Sequence, residues 1–266
     1  MTLIVPLVVA FLVLYYPILQ GLRLDWRTNP DYSHGYFIPF VCLFMLYYSY
    51  RQWRQLKPAP CNTGGVVLLL GLGMLVIGKI GSEFFLQRLS IIVVLAGICL
   101  FLLGWTYLRS FAFPLGYLFF MIPLPAIIWN KIAFPLQLFG SSLTENVVRM
   151  MGIPVFREGN VLHLVETRLE VVAACSGLRS LMTMFALAAL LVFISILPPW
   201  KKWVLFFSAA PVAILANIVR LSGTALLASK YGAEVAHGFL HDFSGLVVFA
   251  LGFSLLLAIN RLLAKE

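Results

Sequence analysis

Three residues have settings that suggest chemistry: Cys175, Arg220 and His241. Cys175 lies in Val171-Val-Ala-Ala-Cys175-Ser176-Gly177-Leu-Arg179-Ser180, where a charged, irregular segment gives way to a long apolar run. Ser176 and Gly177 read as a helix start, and a thiol there feels the positive end of the helix dipole. That placement lowers a thiol pKa and raises the thiolate fraction, and Arg179 adds to it. The unpaired N–H groups of the first turn are also candidate oxyanion donors. The plainer alternative is a small residue buried where a helix begins. A thiol, a guanidinium and an imidazole suffice for acyl transfer: nucleophile, oxyanion partner and acid/base.

Arg220 stands in Asn217-Ile-Val-Arg220-Leu-Ser222, inside an otherwise apolar run. A guanidinium at membrane depth costs ~3 kcal/mol or more, so it usually faces a bundle interior or a wet cavity. It keeps its proton, which makes it a constant donor to an oxyanion or carboxylate. It could instead snorkel, or pair with Glu170 or Asp242. Asn217, one turn earlier, shares its face. His241 belongs to His237-Gly-Phe-Leu-His241-Asp242-Phe-Ser244-Gly245 and reads as a general acid/base at a helix start, with Asp242 or Ser244 as cap. His237 and His241 have i, i+4 spacing, but no third ligand follows at zinc-like spacing, so neither a metal nor a cofactor is expected. His163 reads as a surface residue. His34, in Tyr32-Ser33-His34-Gly35-Tyr36, reads as a substrate contact or, preferably, as a cap on the following helix.

The elements that must position these residues are membrane helices. The chain has 266 residues, 62% hydrophobic and 11% charged, with a mean hydropathy of +0.98, well outside soluble-domain usage. The formal charge of +9 fits lipid headgroups rather than nucleic acid in such a chain. GxxxxGK[ST], GxGxxG and CxxC patterns are missing, which removes phosphate-loop and zinc readings. Cys42 and Cys99 sit in apolar runs as packing, and Cys61 lies in a Pro/Asn/Thr loop. Apolar runs at about 2–21, 36–50, 64–80, 89–108, 110–128, 178–197, 203–228 and 243–262 predict about eight transmembrane helices in an all-α polytopic protein. The first run lacks a basic n-region and a cleavage site, and is expected to be retained.

Segment 132–151 is apolar but carries Gln137, Ser141, Ser142, Thr144, Glu145 and Asn146, predicting an interfacial, re-entrant or bundle-lining helix. Pro123-Leu124-Pro125 should stop the fifth span and shape a cleft floor. Residues 153–173 mix charge with β-branched residues around Gly159-Asn160, predicting a small external hairpin. Residues 1–266 thus read as one integral membrane domain, with a segment at about 153–175 inserted between helices. Arg51, Arg54, Lys57, Arg109, Lys201, Lys202, Arg261 and Lys265 share one side if the spans alternate, and that side should be the cytoplasm. Nine other basic residues, including Arg88, Arg149, Arg157 and Arg168, fall opposite, several beside acids. On this topology Cys175, Arg220 and His241 share one depth on the external face.

The chain resembles the exosortase/archaeosortase family of membrane cysteine transpeptidases. The match is carried by Ser33-His34-Gly35, Met121-Ile-Pro123-Leu-Pro125, Gly152-Ile-Pro154, Arg157-Glu158-Gly159-Asn160, Glu170-Val, Ala174-Cys175-Ser176-Gly177-Leu-Arg179-Ser180, Asn217-Ile-Val-Arg220 and His241-Asp242-Phe-Ser-Gly245. The resemblance implies a thiol protease or transpeptidase of the bacterial inner membrane, with its active site on the external face. Its substrates would be exported proteins with a C-terminal signal: a short motif (often Pro-Glu-Pro, as in PEP-CTERM proteins), a transmembrane helix and a basic cluster. By motif position Cys175 would be the nucleophile, Arg220 the oxyanion stabiliser and His241 the acid/base. Ser176, Gly177, Arg179, Asn217, Glu170, Asp242 and His34 would be substrate-binding or supporting residues. The Ser after Cys175 favours the bacterial branch, which often accompanies exopolysaccharide loci, and no further soluble domain is expected after the last span. The competing expectation is a non-enzymatic scaffold or transporter of a polysaccharide export system, for which Cys175 has no role. No residue selects among water, amine, lipid and glycan as acceptor.

Overall fold

The computed structural model describes residues 4–165, 168–170, 178–232 and 239–265, with the backbone alone at 4, 169, 170, 178, 179, 230 and 239–244. Two compact units divide at Pro125: Met1–Pro125 and Ala126–Glu266.

In the first unit the helices are α1 (Ile4–Thr28), α2 (Ile38–Tyr48), α3 (Tyr50–Trp53), α4 (Thr63–Ile80), α5 (Phe84–Leu103) and α6 (Trp105–Tyr117). Helices α4 and α5 form an antiparallel pair whose closeness follows from glycine. A Cβ at Gly71 would lie 2.9 Å from the Val94 amide nitrogen, and one at Gly97 2.7 Å from that of Leu68. Apolar helices gain little from hydrophobic association in lipid, so small residues that admit backbone contact hold them together. Gly104, at φ 89°, ends α5 where the Ala59 carbonyl fills the space of a side chain. The expected continuous span 89–108 therefore breaks at Gly104. Helix α1 joins α5 through the Arg88–Asp25 ion pair and the Tyr15–Ser90 hydrogen bond of 2.9 Å.

The second unit holds α7 (Ala126–Met150), a three-stranded sheet, α8 (Leu178–Ile194), α9 (Pro199–Phe207), α10 (Ala209–Tyr231) and α11 (Phe239–Lys265). Strands β1 (Val155–Glu158) and β2 (Val161–Leu164) form the expected hairpin around Gly159-Asn160, with Gly159 at φ 60°. Strand β3 (Arg168–Glu170) adds to β2 in the order β1-β2-β3. One apolar cluster joins Ala133 of α7, Met184 and Leu191 of α8, Val212 and Ala213 of α10 and Leu256 of α11. A second joins Val148 of α7, Leu162 and Leu164 of β2, and Leu221, Ala225 and Ala228 of α10.

The expected count of about eight spans is not confirmed. Among the described residues five helices are long and apolar enough: Val5–Thr28, Thr63–Ile80, Phe84–Leu103, Pro199–Ser229 and Gly245–Lys265. A sixth is reached if Trp105–Met121 and Ala126–Met150 are taken as one broken span. Helix α2 has 11 residues, about 16 Å of rise, against a ~30 Å hydrocarbon core. Helix α8 has 17 and stops before Pro198 and Pro199. The expected span 110–128 ends early: a 3-10 turn at Leu118–Met121 precedes Pro123 and Pro125, which cannot continue a helix. Segment 132–151 belongs to α7, one 25-residue helix. Gln137, Ser141 and Thr144 are buried along it, as the bundle-lining reading expected.

Candidate active site

The register of three helices decides where the expected residues fall. A Cβ at Gly252 of α11 would lie 2.6 Å from the Met184 Cε and 3.7 Å from a Val212 methyl, so α8, α10 and α11 meet at one level. At one end of this bundle the Ser195 hydroxyl donates to the Asn260 side-chain oxygen at 2.7 Å. There too the Lys201 ammonium donates to the Leu263 carbonyl at 2.8 Å. Toward the other end, α8 runs back six residues from Met184 to its start at Leu178, about 9 Å of rise. Helix α10 runs eight residues from Val212 to Arg220, about 12 Å. Helix α11 runs back eleven residues from Gly252 to position 241, about 16 Å. The start of α8, Arg220 and position 241 thus lie on one side of the Met184–Gly252 contact.

Arg220 is half-buried and eleven residues before Tyr231, the end of α10, about 16 Å of rise. That is three turns from the helix end, one more than an apolar run ending at 228 would give. Asn217 is 3% exposed, and its buried side-chain oxygen has no hydrogen-bond partner among the described residues. Both residues occupy the interval between the two apolar clusters, which α10 joins through Ala213 below and Leu221 above. The same interval of α7 carries Gln137, Ser141 and Thr144. Cys175, Ser176 and Gly177 lie outside the described residues, as do His237 and the side chains of Arg179, Glu170, His241 and Asp242.

Above Arg220, the sheet is clamped to α7. Glu145 takes Arg157 of β1 at 3.0 Å and Arg149 at 2.7 Å. Arg157 also donates to the Gly159 carbonyl at 2.9 Å, and the Ser141 hydroxyl reaches that carbonyl at 3.2 Å. Sequence reasoning did not foresee this clamp, although Glu145 and Arg157 were both conspicuous as charges beside apolar runs. His163 pairs with Glu158 at 3.3 Å on the sheet surface, consistent with the surface role expected for it.

His34 does not cap α2, which begins at Phe37 without a side-chain cap bond. Its Nε2 instead contacts the Phe120 carbonyl at 3.1 Å. Nearby, the Trp26 indole N–H donates to the Met121 carbonyl at 2.9 Å, and the Tyr32 hydroxyl accepts from the Leu124 N–H at 3.2 Å. Gly35 is required because the Trp26 indole occupies the space of a Cβ. The Ser-His-Gly and Met-Ile-Pro-Leu-Pro segments therefore form one locked corner of the first unit. Burial holds the His34 pKa below the ordinary imidazole range, opposed by the Phe120 and Asp31 carbonyls and the Asp31 charge. Among the described residues no three His, Cys, Asp or Glu side chains gather as a metal site.

The family model for transmembrane exosortases matches residues 26–258, which include the corner, the clamp, Cys175, Arg220 and His241. This chain belongs to the transmembrane exosortase family. No curated protein and no solved structure matches it. The match covers most of both units of this exosortase.

Proposed function

We propose that this exosortase is a membrane-embedded cysteine protease or transpeptidase. It would cleave the C-terminal sorting signal of exported proteins through a thioester and pass the acyl group to an acceptor. Its site opens on the external face of the bacterial inner membrane, and its substrates carry a short motif followed by a membrane helix and a basic cluster. The observation that carries the reading is Arg220: a half-buried guanidinium in a membrane helix, level with the side of the bundle from which α8 and α11 begin. Such a charge is costly unless it is used, and the family match spans the Cys-Ser-Gly and His-Asp segments that flank those starts.

The Cys175 thiolate attacks the scissile carbonyl carbon, and the carbonyl electron pair moves onto oxygen. Arg220 and the first-turn N–H groups of α8 hold that oxyanion. Collapse breaks the C–N bond as His241 protonates the departing amine, leaving a thioester. His241 then takes the proton of the incoming nucleophile, which displaces the thiolate.

The test is processing of a tagged substrate in membranes by wild type, Cys175→Ala and Cys175→Ser. Both variants should lose cleavage, and wild type alone should form a thiol-labile adduct. A Cys61→Ser background keeps the adduct assignment clean. The Cys61 thiol is half-exposed, and its contact with the Thr63 hydroxyl at 3.0 Å lowers its pKa. Unchanged processing by Cys175→Ala would overturn the reading.

A further inference from the structure

We propose that the Asn217 side-chain oxygen accepts a backbone N–H from the first turn of the substrate's membrane helix, capping that helix in trans. The inference rests on the reading above, in which cleavage occurs just before a membrane helix. Asn217 is 3% exposed and its Oδ1 has no hydrogen-bond partner among the described residues. A protein interior rarely keeps such an acceptor unmet, and a bilayer core offers no water to meet it. The donor is therefore expected to arrive with a ligand.

The depth of Asn217 says which donor. It is one turn below Arg220 on α10, about 4.5 Å deeper from the side on which α8 begins. If Arg220 marks the scissile carbonyl, the chain on the departing side continues inward past Asn217 and there becomes helical. A helix start carries four N–H groups with no partner of their own, and asparagine is among the preferred residues for meeting them.

Two other assignments fail on geometry. Position 241 is not a neighbour, because its backbone lies about 16 Å above the Met184–Gly252 level and that of Asn217 only about 7.5 Å. Ser222 of α10, whose hydroxyl also has no hydrogen-bond partner among the described residues, is 2% exposed. It lies five residues on from Asn217, about 140° around the helix, and does not share the site.

The experiment pairs two enzymes with two substrates in membranes. The enzymes are wild type and Asn217→Leu. The substrates are tagged proteins whose membrane helix begins either with alanine at the cap position or with serine there, which supplies a cap in cis. Asn217→Leu should process the alanine substrate on the order of ten-fold more slowly than wild type, and the serine substrate within about two-fold of wild type. Equal losses on both substrates, or no loss on either, would overturn the proposal. A second readout is independent of turnover: without substrate, Asn217→Leu should melt no lower than wild type, because an unmet acceptor has been removed. A lower melting temperature together with equal losses on both substrates would mean that the amide serves the fold rather than the substrate, which also overturns it. Cys175→Ala run alongside separates the two levels of argument. If it still cleaves, the reading of the site fails, whereas its inactivity with equal Asn217→Leu losses defeats only the capping role.

Discussion

Met184 lies against Gly252, and this contact sets the register of α8 on α11 beneath the level of Arg220. A side chain at 252 must displace the Met184 thioether, whose Cε would be 2.6 Å from a new Cβ. Methionine is flexible and can yield to one carbon, so Gly252→Ala should cost only about 1 kcal/mol. Gly252→Leu cannot be accommodated and should shift the helices and abolish processing while the protein still inserts. Met184→Ala in the same chain should restore part of the activity by returning the space. Thermal stability in detergent and substrate cleavage, measured on both single variants and the double, check the coupling.

The clamp between α7 and the sheet makes a second prediction. Glu145 is 14% exposed and Arg157 30%, whereas Arg149 is 57% exposed. The inner pair is partly shielded from solvent screening and the outer one is not. Glu145→Ala should cost about 1–2 kcal/mol and Arg149→Ala a few tenths at most. Amide exchange across residues 155–164 should accelerate roughly ten-fold in Glu145→Ala and stay near wild type in Arg149→Ala.

His34 carries a pH dependence of known sign. Burial favours its neutral form, so its folded pKa lies below that of the unfolded chain. Its contribution is complete above the ordinary imidazole pKa of about 6.5. As pH falls through that value, the unfolded chain takes up the proton first, and stability declines until the lower folded pKa is passed. His34→Gln, which keeps a donor for the Phe120 carbonyl, should flatten this decline. The difference between wild-type and variant melting temperatures at pH 7.5 and pH 5.5 measures it.

What was legible in the sequence was the family and the local signals. Gly159-Asn160 turned where a two-residue hairpin loop should, and Pro123 and Pro125 ended their helix. The polar side chains of 132–151 marked a lining helix. Span lengths were not legible, because hydropathy runs straight through Gly104, where φ 89° and the Ala59 carbonyl break the helix. It likewise merged α6 with the 3-10 turn that follows it. The cap on α2 expected of His34 is not made, for a related reason. Its partner is the carbonyl of Phe120, 86 residues away, and a backbone acceptor carries no sequence signal. Asn217 could be placed on the face of Arg220, but only packing reveals that its oxygen is left unmet.

Arg220 supplies the sharpest discrimination between charge and shape. Lysine would keep the positive charge in α10 but replace a planar fork of five donors with a single mobile ammonium. An oxyanion needs donors aimed where charge develops, and removing one such donor typically costs about 10²–10³ in turnover. Arg220→Lys should therefore fall nearly as far as Arg220→Ala in single-turnover acylation. Its substrate affinity should change by less than about three-fold, because the interaction is made chiefly in the transition state. Rapid-quench measurement of adduct formation on Cys175, alongside substrate binding to the Cys175→Ala form of each variant, separates the two quantities. Near-normal acylation by Arg220→Lys would show that charge alone is required, and the oxyanion role would have to be given up.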